Sequence, residues 1–163
     1  MSRRTVEDPS VLCQDPVARQ LVAAAFTAIE ERYEEGRHQI AAAVLDADGQ
    51  VHLGLHLEGM VGRASACAES GALSAARMVT RAPLMAAAAV RYPKPSEDPV
   101  ARIVPPCGVC RELLADHLTG GRAVIATAPE AAGFVPLDTL LPYKYVGTKW
   151  LALSPTPDLG ETR

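Results

Sequence analysis

The stretch HQIAAAVLDADGQVHLGLHLE, residues 38–58, decides the fold. Two short apolar runs, HQIAAAVLD and QVHLGLHLE, flank Ala47-Asp48-Gly49, and an Asp-Gly pair between apolar runs signals a tight hairpin. An antiparallel strand pair is therefore expected here. Upstream, Val17, Leu21, Val22, Ala25, Phe26 and Ile29 recur at helical spacing, which predicts an amphipathic helix over 16–35, stopped by Gly36. Downstream, the Ala-, Leu- and Met-rich stretch from Ala64 to Met85 reads as a helix of about five turns with Cys67 and Glu69 at its N-terminus. Pro83 then breaks the chain, so LMAAAAVRYP resumes as a strand toward Tyr92.

Beyond Tyr92, KPSEDPVA is a loop, Arg102 to Val104 a short strand piece, and CGVCRELLADHL a helix whose first turn carries two cysteines. Ala123 to Thr127 reads as a strand, Phe134 to Leu137 as a short strand or edge, and Asp138 as the N-cap of a helical turn leading into LLPYKY. Met78 and Met85, at helical spacing, are expected in the core. The order predicts a three-layer α/β/α domain with a mixed sheet of five strands over residues 16–150. Residues 1–15 read as a flexible lead and 151–163 as a disordered tail.

A chain of 163 residues with 48% hydrophobic content can bury one core without disulfides. Its 16 basic against 19 acidic residues give a net charge of −3, with no basic stripe. Nucleic-acid binding is therefore not expected, and few aromatics are present to stack bases. The absence of a membrane-length apolar run and of a signal-peptide core leads us to expect a cytoplasmic protein without membrane partners. Only four cysteines occur, and Cys107 and Cys110 lie in C-x-x-C spacing.

The chemistry concentrates at Cys67-Ala68-Glu69 and at Pro106-Cys107-Gly108-Val109-Cys110-Arg111, each opening a helix. Three thiolates at helix N-termini, where the dipole lowers thiol pKa, suit a tetrahedral Zn2+ with one open position. Glu69, two residues beyond the first cysteine, is placed to take a proton from the attacking water and to return protons to a ring nitrogen and a leaving amine. Arg111 is expected to hydrogen-bond a thiolate sulfur and offset the charge of a three-thiolate site. A C-x-x-C pair is also compatible with redox chemistry or with a four-ligand zinc staple in a binding module without catalysis. The staple would take its fourth ligand from Cys13, His38, His52, His56 or His117.

C-A-E followed by P-C-x-x-C forty residues on resembles the signature of the cytidine deaminase superfamily. A first ligand of Cys rather than His is similar to the free-nucleoside cytidine deaminases and, more closely, to the blasticidin-S-deaminase-like branch. The resemblance implies hydrolytic deamination at C4 of a cytosine-type nucleoside or of a modified nucleoside antibiotic. It also implies that the base is held by backbone near Ala66 and Cys67. The family's G-x-N-x-E, which holds the ribose, corresponds to Gly54-Leu55-His56-Leu57-Glu58, with His56 in place of Asn. His56 reads either as a substrate contact or as a strand histidine satisfied by backbone. The resemblance further implies a homotetramer in which a tail aromatic, Tyr145, takes part in the site.

Overall fold

The computed structural model describes residues 5–148. The expected hairpin is present as β1 (Ile40–Asp46) and β2 (Val51–Leu55), antiparallel with Ala43 opposite Leu53. Its turn is held by Asp46, whose carboxylate accepts the N–H groups of Asp48 and Gln50 and contacts His52 Nε2 at 2.8 Å. Gly49 takes φ +81°, a conformation that favours glycine.

Around the hairpin lie α1 (Pro16–Arg32), α2 (Ala68–Val79), β3 (Leu84–Arg91), β4 (Arg102–Ile103), α3 (Gly108–His117), β5 (Leu118–Ala128), β6 (Ala131–Pro136) and α4 (Leu137–Leu140). The sheet order is β2-β1-β3-β5-β6, with the two-residue β4 paired to β3 off this path. Every strand pair is antiparallel except β3 with β5, which are parallel and joined by the crossover carrying α3. The mixed sheet of five main strands is as expected, and helices cover both faces. α1 lays Leu21, Val22, Phe26 and Ile29 over Ala41, Ala43, Ala86 and Ala88, whereas α2 and α3 cover Ala42, Ala87 and Ala89. No described helix is long and apolar enough to cross a membrane.

Several boundaries differ from the sequence reading. α1 ends at Arg32 because Glu34 and His38 exchange backbone hydrogen bonds around Gly36. α2 spans Ala68–Val79 rather than Ala64 to Met85, because Ala66 pairs with Leu57 in extended conformation and holds the chain out of the helix until Cys67. Met85 consequently lies in β3, and Met78 is exposed. β5 begins directly after α3, five residues earlier than expected, and Asp138 lies within the first turn of α4, whose N-cap is Pro136.

The expected flexible lead is instead packed over residues 5–15. Asp8 caps a 3-10 turn at Pro9–Leu12, and Glu7 bridges to Val100. Cys13 is fully buried beside Ala132, with its carbonyl held by the Arg19 guanidinium at 2.7 and 3.0 Å. The expected disordered tail, 151–163, lies outside the described residues.

Candidate active site

Two helix N-termini meet above the alanine-rich centre of the sheet. Cys67 is the N-cap of α2 and Cys107 the N-cap of α3, while Cys110 sits one turn into α3. β2 is what sets α2 in place. Gly54 lies so close to α2 that a Cβ there would fall on the backbone of Ala68 and Ala72, and a Cβ on Gly71 would in turn meet Gly54. Backbone thus packs on backbone, and the first turn of α2 is fixed relative to the strand that leads into His56 and Glu58.

The three sulfurs lie within 4.8 Å of one another, with Cys67 Sγ 3.6 Å from Cys107 Sγ and no disulfide among them. In a tetrahedral centre with metal–sulfur bonds of about 2.3 Å, ligand sulfurs stand about 3.8 Å apart, so the spacing suits a shared metal ion. Burial pushes the Cys67 and Cys110 thiols above the ordinary range, and the Glu69 charge adds to the rise at both. At Cys107 burial also opposes ionisation, but the Cys110 N–H and the Cys110 and Cys67 thiols donate to its sulfur and bring its pKa below the usual value. The lowering expected at all three sites is thus found at Cys107 alone, because burial dominates at the other two and donated hydrogen bonds do not offset it there. A bound cation relieves this crowding of potential anions, so the donor set fits a metal ion of soft-ligand preference.

Glu69, the second residue of α2, is 7% exposed and lines a small cavity with Val104, Pro106 and Leu114. Among the described residues its carboxylate has no ion-pair or hydrogen-bond partner. A carboxylate with no such partner beside three thiols is free to carry a proton.

Leu57 and Ala66 exchange both backbone hydrogen bonds, at 3.0 Å each. This register puts His56 across from Cys67 and Glu58 across from Ser65. Ser65 Oγ donates to Glu58 Oε1 at 2.9 Å and accepts from Gly59 N–H at 3.1 Å, and His56 Nε2 lies 3.4 Å from Glu58 Oε2. His56 Nδ1 is buried without a partner, so the strand-histidine reading, in which backbone satisfies the ring, is not what is seen. Ser65 was not singled out from the sequence. Its position two residues before Cys67 was the available signal.

One expectation changes, that for Arg111, while Ala66 exchanges its N–H and carbonyl with Leu57 beside Cys67. Arg111 meets no sulfur: its Nε donates to the Pro106 carbonyl at 2.9 Å and its Nη1 to the Leu140 carbonyl at 3.0 Å, because the guanidinium reaches toward α4. Tyr145 is 82% exposed, in a segment where Lys144 is tied to Glu112 and Asp116 of α3.

No family model matches the chain. Over 127 residues it is 32% identical to the blasticidin-S deaminase of Bacillus cereus, a match covering 77% of this chain and 90% of that protein. It is 35% identical over 99 residues to a cytidine deaminase of Halalkalibacterium halodurans, covering 60% of this chain and 70% of that one. The crystal structure of the cytidine deaminase from Bacillus anthracis superposes with a TM-score of 0.65 at 23% identity, covering 79% of this chain and 89% of that one, a likeness of fold. With the thiol cluster and Glu69 at the two helix N-termini, these relationships show that the chain belongs to the cytidine deaminase superfamily, close to its blasticidin-S-deaminase-like members, and is a hydrolytic deaminase.

Proposed function

We propose that the protein is a zinc-dependent aminohydrolase that converts the C4 amine of a cytosine-type nucleoside to a carbonyl and releases ammonia. The observation that carries this reading is the cluster of Cys67, Cys107 and Cys110 sulfurs within 4.8 Å, with the buried carboxylate of Glu69 two residues beyond the first. Cys67, Cys107 and Cys110 would hold the ion, which when bound supplies a Lewis acid that makes water nucleophilic near neutral pH. Glu69 takes the proton of the water attacking C4, protonates the ring nitrogen, and passes a proton to the departing amine. The pair of His56 and Glu58 offers the sugar a ring nitrogen and a carboxylate, with Ser65 fixing the rotamer of Glu58.

A second reading, deamination of a modified nucleoside such as blasticidin S, is favoured by the 127-residue match to a blasticidin-S deaminase. Both readings share the cytosine ring and differ in the sugar. A homotetramer in a reducing, cytoplasmic setting belongs to the same proposal. It is supported by the free thiols and by exposed apolar side chains at Leu57, Met60, Val61, Tyr143, Tyr145 and Val146.

The test mixes metal-analysed, zinc-loaded protein with cytidine, deoxycytidine, cytosine and blasticidin S, and follows ultraviolet absorbance, with Glu69→Ala as control. Loss of the cytosine chromophore that disappears in Glu69→Ala is expected. No change with any of the four overturns the cytosine-type substrate, and turnover of blasticidin S alone selects the second reading.

A further inference from the structure

The hairpin ladder is regular as far as Ala41 opposite Leu55, and the chain then runs on to His56 and Glu58 beyond the end of β2. His56 N–H donates to the Ile40 carbonyl at 2.8 Å and Glu58 N–H to the Arg37 carbonyl at 3.0 Å. The His56 carbonyl is met by a side chain, His38 Nδ1, at 3.0 Å. A carbonyl oxygen only accepts, so Nδ1 carries the proton of this bond. His38 is itself held in place: it exchanges both backbone hydrogen bonds with Glu34, at 2.9 and 3.2 Å, around the positive-φ turn at Gly36.

The carbonyl of His56 and the N–H of Leu57 belong to one planar peptide unit, in which they point in opposite directions. The His38 ring grips the first, and the Ala66 carbonyl accepts the second at 3.0 Å. One plane is thereby pinned from two sides, by the turn after α1 and by the segment that leads into Cys67. Donation to the carbonyl also polarises the amide and strengthens the bond that its N–H makes. Among the described residues the one polar contact of the His56 ring is with Glu58, at 3.4 Å, and its Nδ1 is buried without a partner. The aim of that ring therefore depends on the backbone beneath it.

We propose that His38 is a positioning residue of the deaminase: its Nδ1–H, through the His56–Leu57 peptide, keeps His56 and Glu58 in register with Cys67 and Ser65. The proposal rests on the deaminase reading above. In this role His38 acts through its neighbours and not on the substrate. The geometry also says which replacement should serve. An Asn amide presents an N–H close to the place of Nδ1, whereas a Gln amide presents one close to the place of Nε2, one bond farther out.

The experiment compares the wild type with His38→Ala, His38→Gln and His38→Asn by three readouts. Long-range proton–nitrogen spectra of the wild type should show the neutral His38 ring protonated at Nδ1. Amide hydrogen exchange at Leu57 should quicken about two- to ten-fold in His38→Ala and His38→Gln, the range that one lost hydrogen bond allows. With cytidine and blasticidin S, KM should rise by a similar factor in those two variants with kcat held, while His38→Asn stays close to the wild type in both measurements. An Nε2-protonated ring overturns the proposal, as does Leu57 exchange unchanged in His38→Ala and His38→Gln. Equal losses in all three variants also overturn it, because they mark the ring as packing volume alone. Should His38→Ala fail to fold, the contrast between the Asn and Gln variants decides. A wild type that deaminates neither nucleoside counts against the catalytic reading, and the tautomer and the Leu57 exchange rates then decide the role of His38.

Discussion

On the α1 face of the sheet, Ala41, Ala43, Ala86 and Ala88 lie under Leu21, Val22, Phe26 and Ile29, and the space above the small side chains is filled with hydrocarbon. On the opposite face, Ala42, Ala87 and Ala89 of the same two strands lie beneath the helix starts that bring Cys67, Cys107, Cys110 and Glu69 together. Small residues thus serve two ends within one pair of strands. On the first face they admit a close-packed helix, and on the second they leave room for thiols and a buried carboxylate that a core would exclude.

The largest effect should come from breaking the second face. Cys110→Ala removes a buried sulfur, so bound metal measured by plasma spectrometry should fall with activity by at least about 100-fold, since losses from outer-sphere partners alone reach 10–100-fold. Retained metal would show that Cys110 is structural. On the first face, Leu21→Ala should cost about 2–5 kcal/mol in urea unfolding while kcat/KM of the folded protein holds. A change in kcat there would deny that the two faces are separable.

A finer probe is Ser65→Ala, which frees Glu58 to rotate. KM should rise about two- to ten-fold with kcat unchanged, whereas a fall in kcat alone would assign Ser65 another task. The smallest effect lies at the rim. The Arg91 hydrogen bonds, helped by the Lys94 N–H, hold the Glu97 carboxyl at about 2, against an ordinary value of 4.5. A carboxyl lowered on folding stabilises above its unfolded pKa, and that contribution is lost as pH falls toward the folded value. Unfolding followed from pH 5 to pH 3 should therefore weaken less steeply in Glu97→Gln than in the wild type, and equal slopes would remove the pair from the acid response.

The parts legible in the sequence were those fixed locally. The Asp48-Gly49 turn, the helical spacing from Val17 to Ile29 and the cysteines opening two helices each carry their own signal over a few residues. What escaped depends on distant partners. Ala64 and Ala66 have high helix propensity, yet Leu57 captures Ala66 in an extended bridge. Ala86 to Ala89 lack β propensity, and only burial between α1 on one side and α2 and α3 on the other makes them a strand. The segment before Pro16 has no period because two aspartate caps and bridges to Val100 and Ala132 hold it, not an amphipathic face. Arg111 could be placed beside the cysteines, but its reach toward Leu140 depended on where α4 lands.

That one guanidinium spans the carbonyl just before Cys107 and the carbonyl that ends α4 has a thermodynamic corollary. The loop that presents a metal ligand and the segment running on toward Tyr145 share a fastener, so their order parameters are not independent variables. By reciprocity, whatever immobilises the C-terminal segment tightens the ligand loop, and occupancy of the thiol cluster steadies the C-terminal segment by the same coupling free energy.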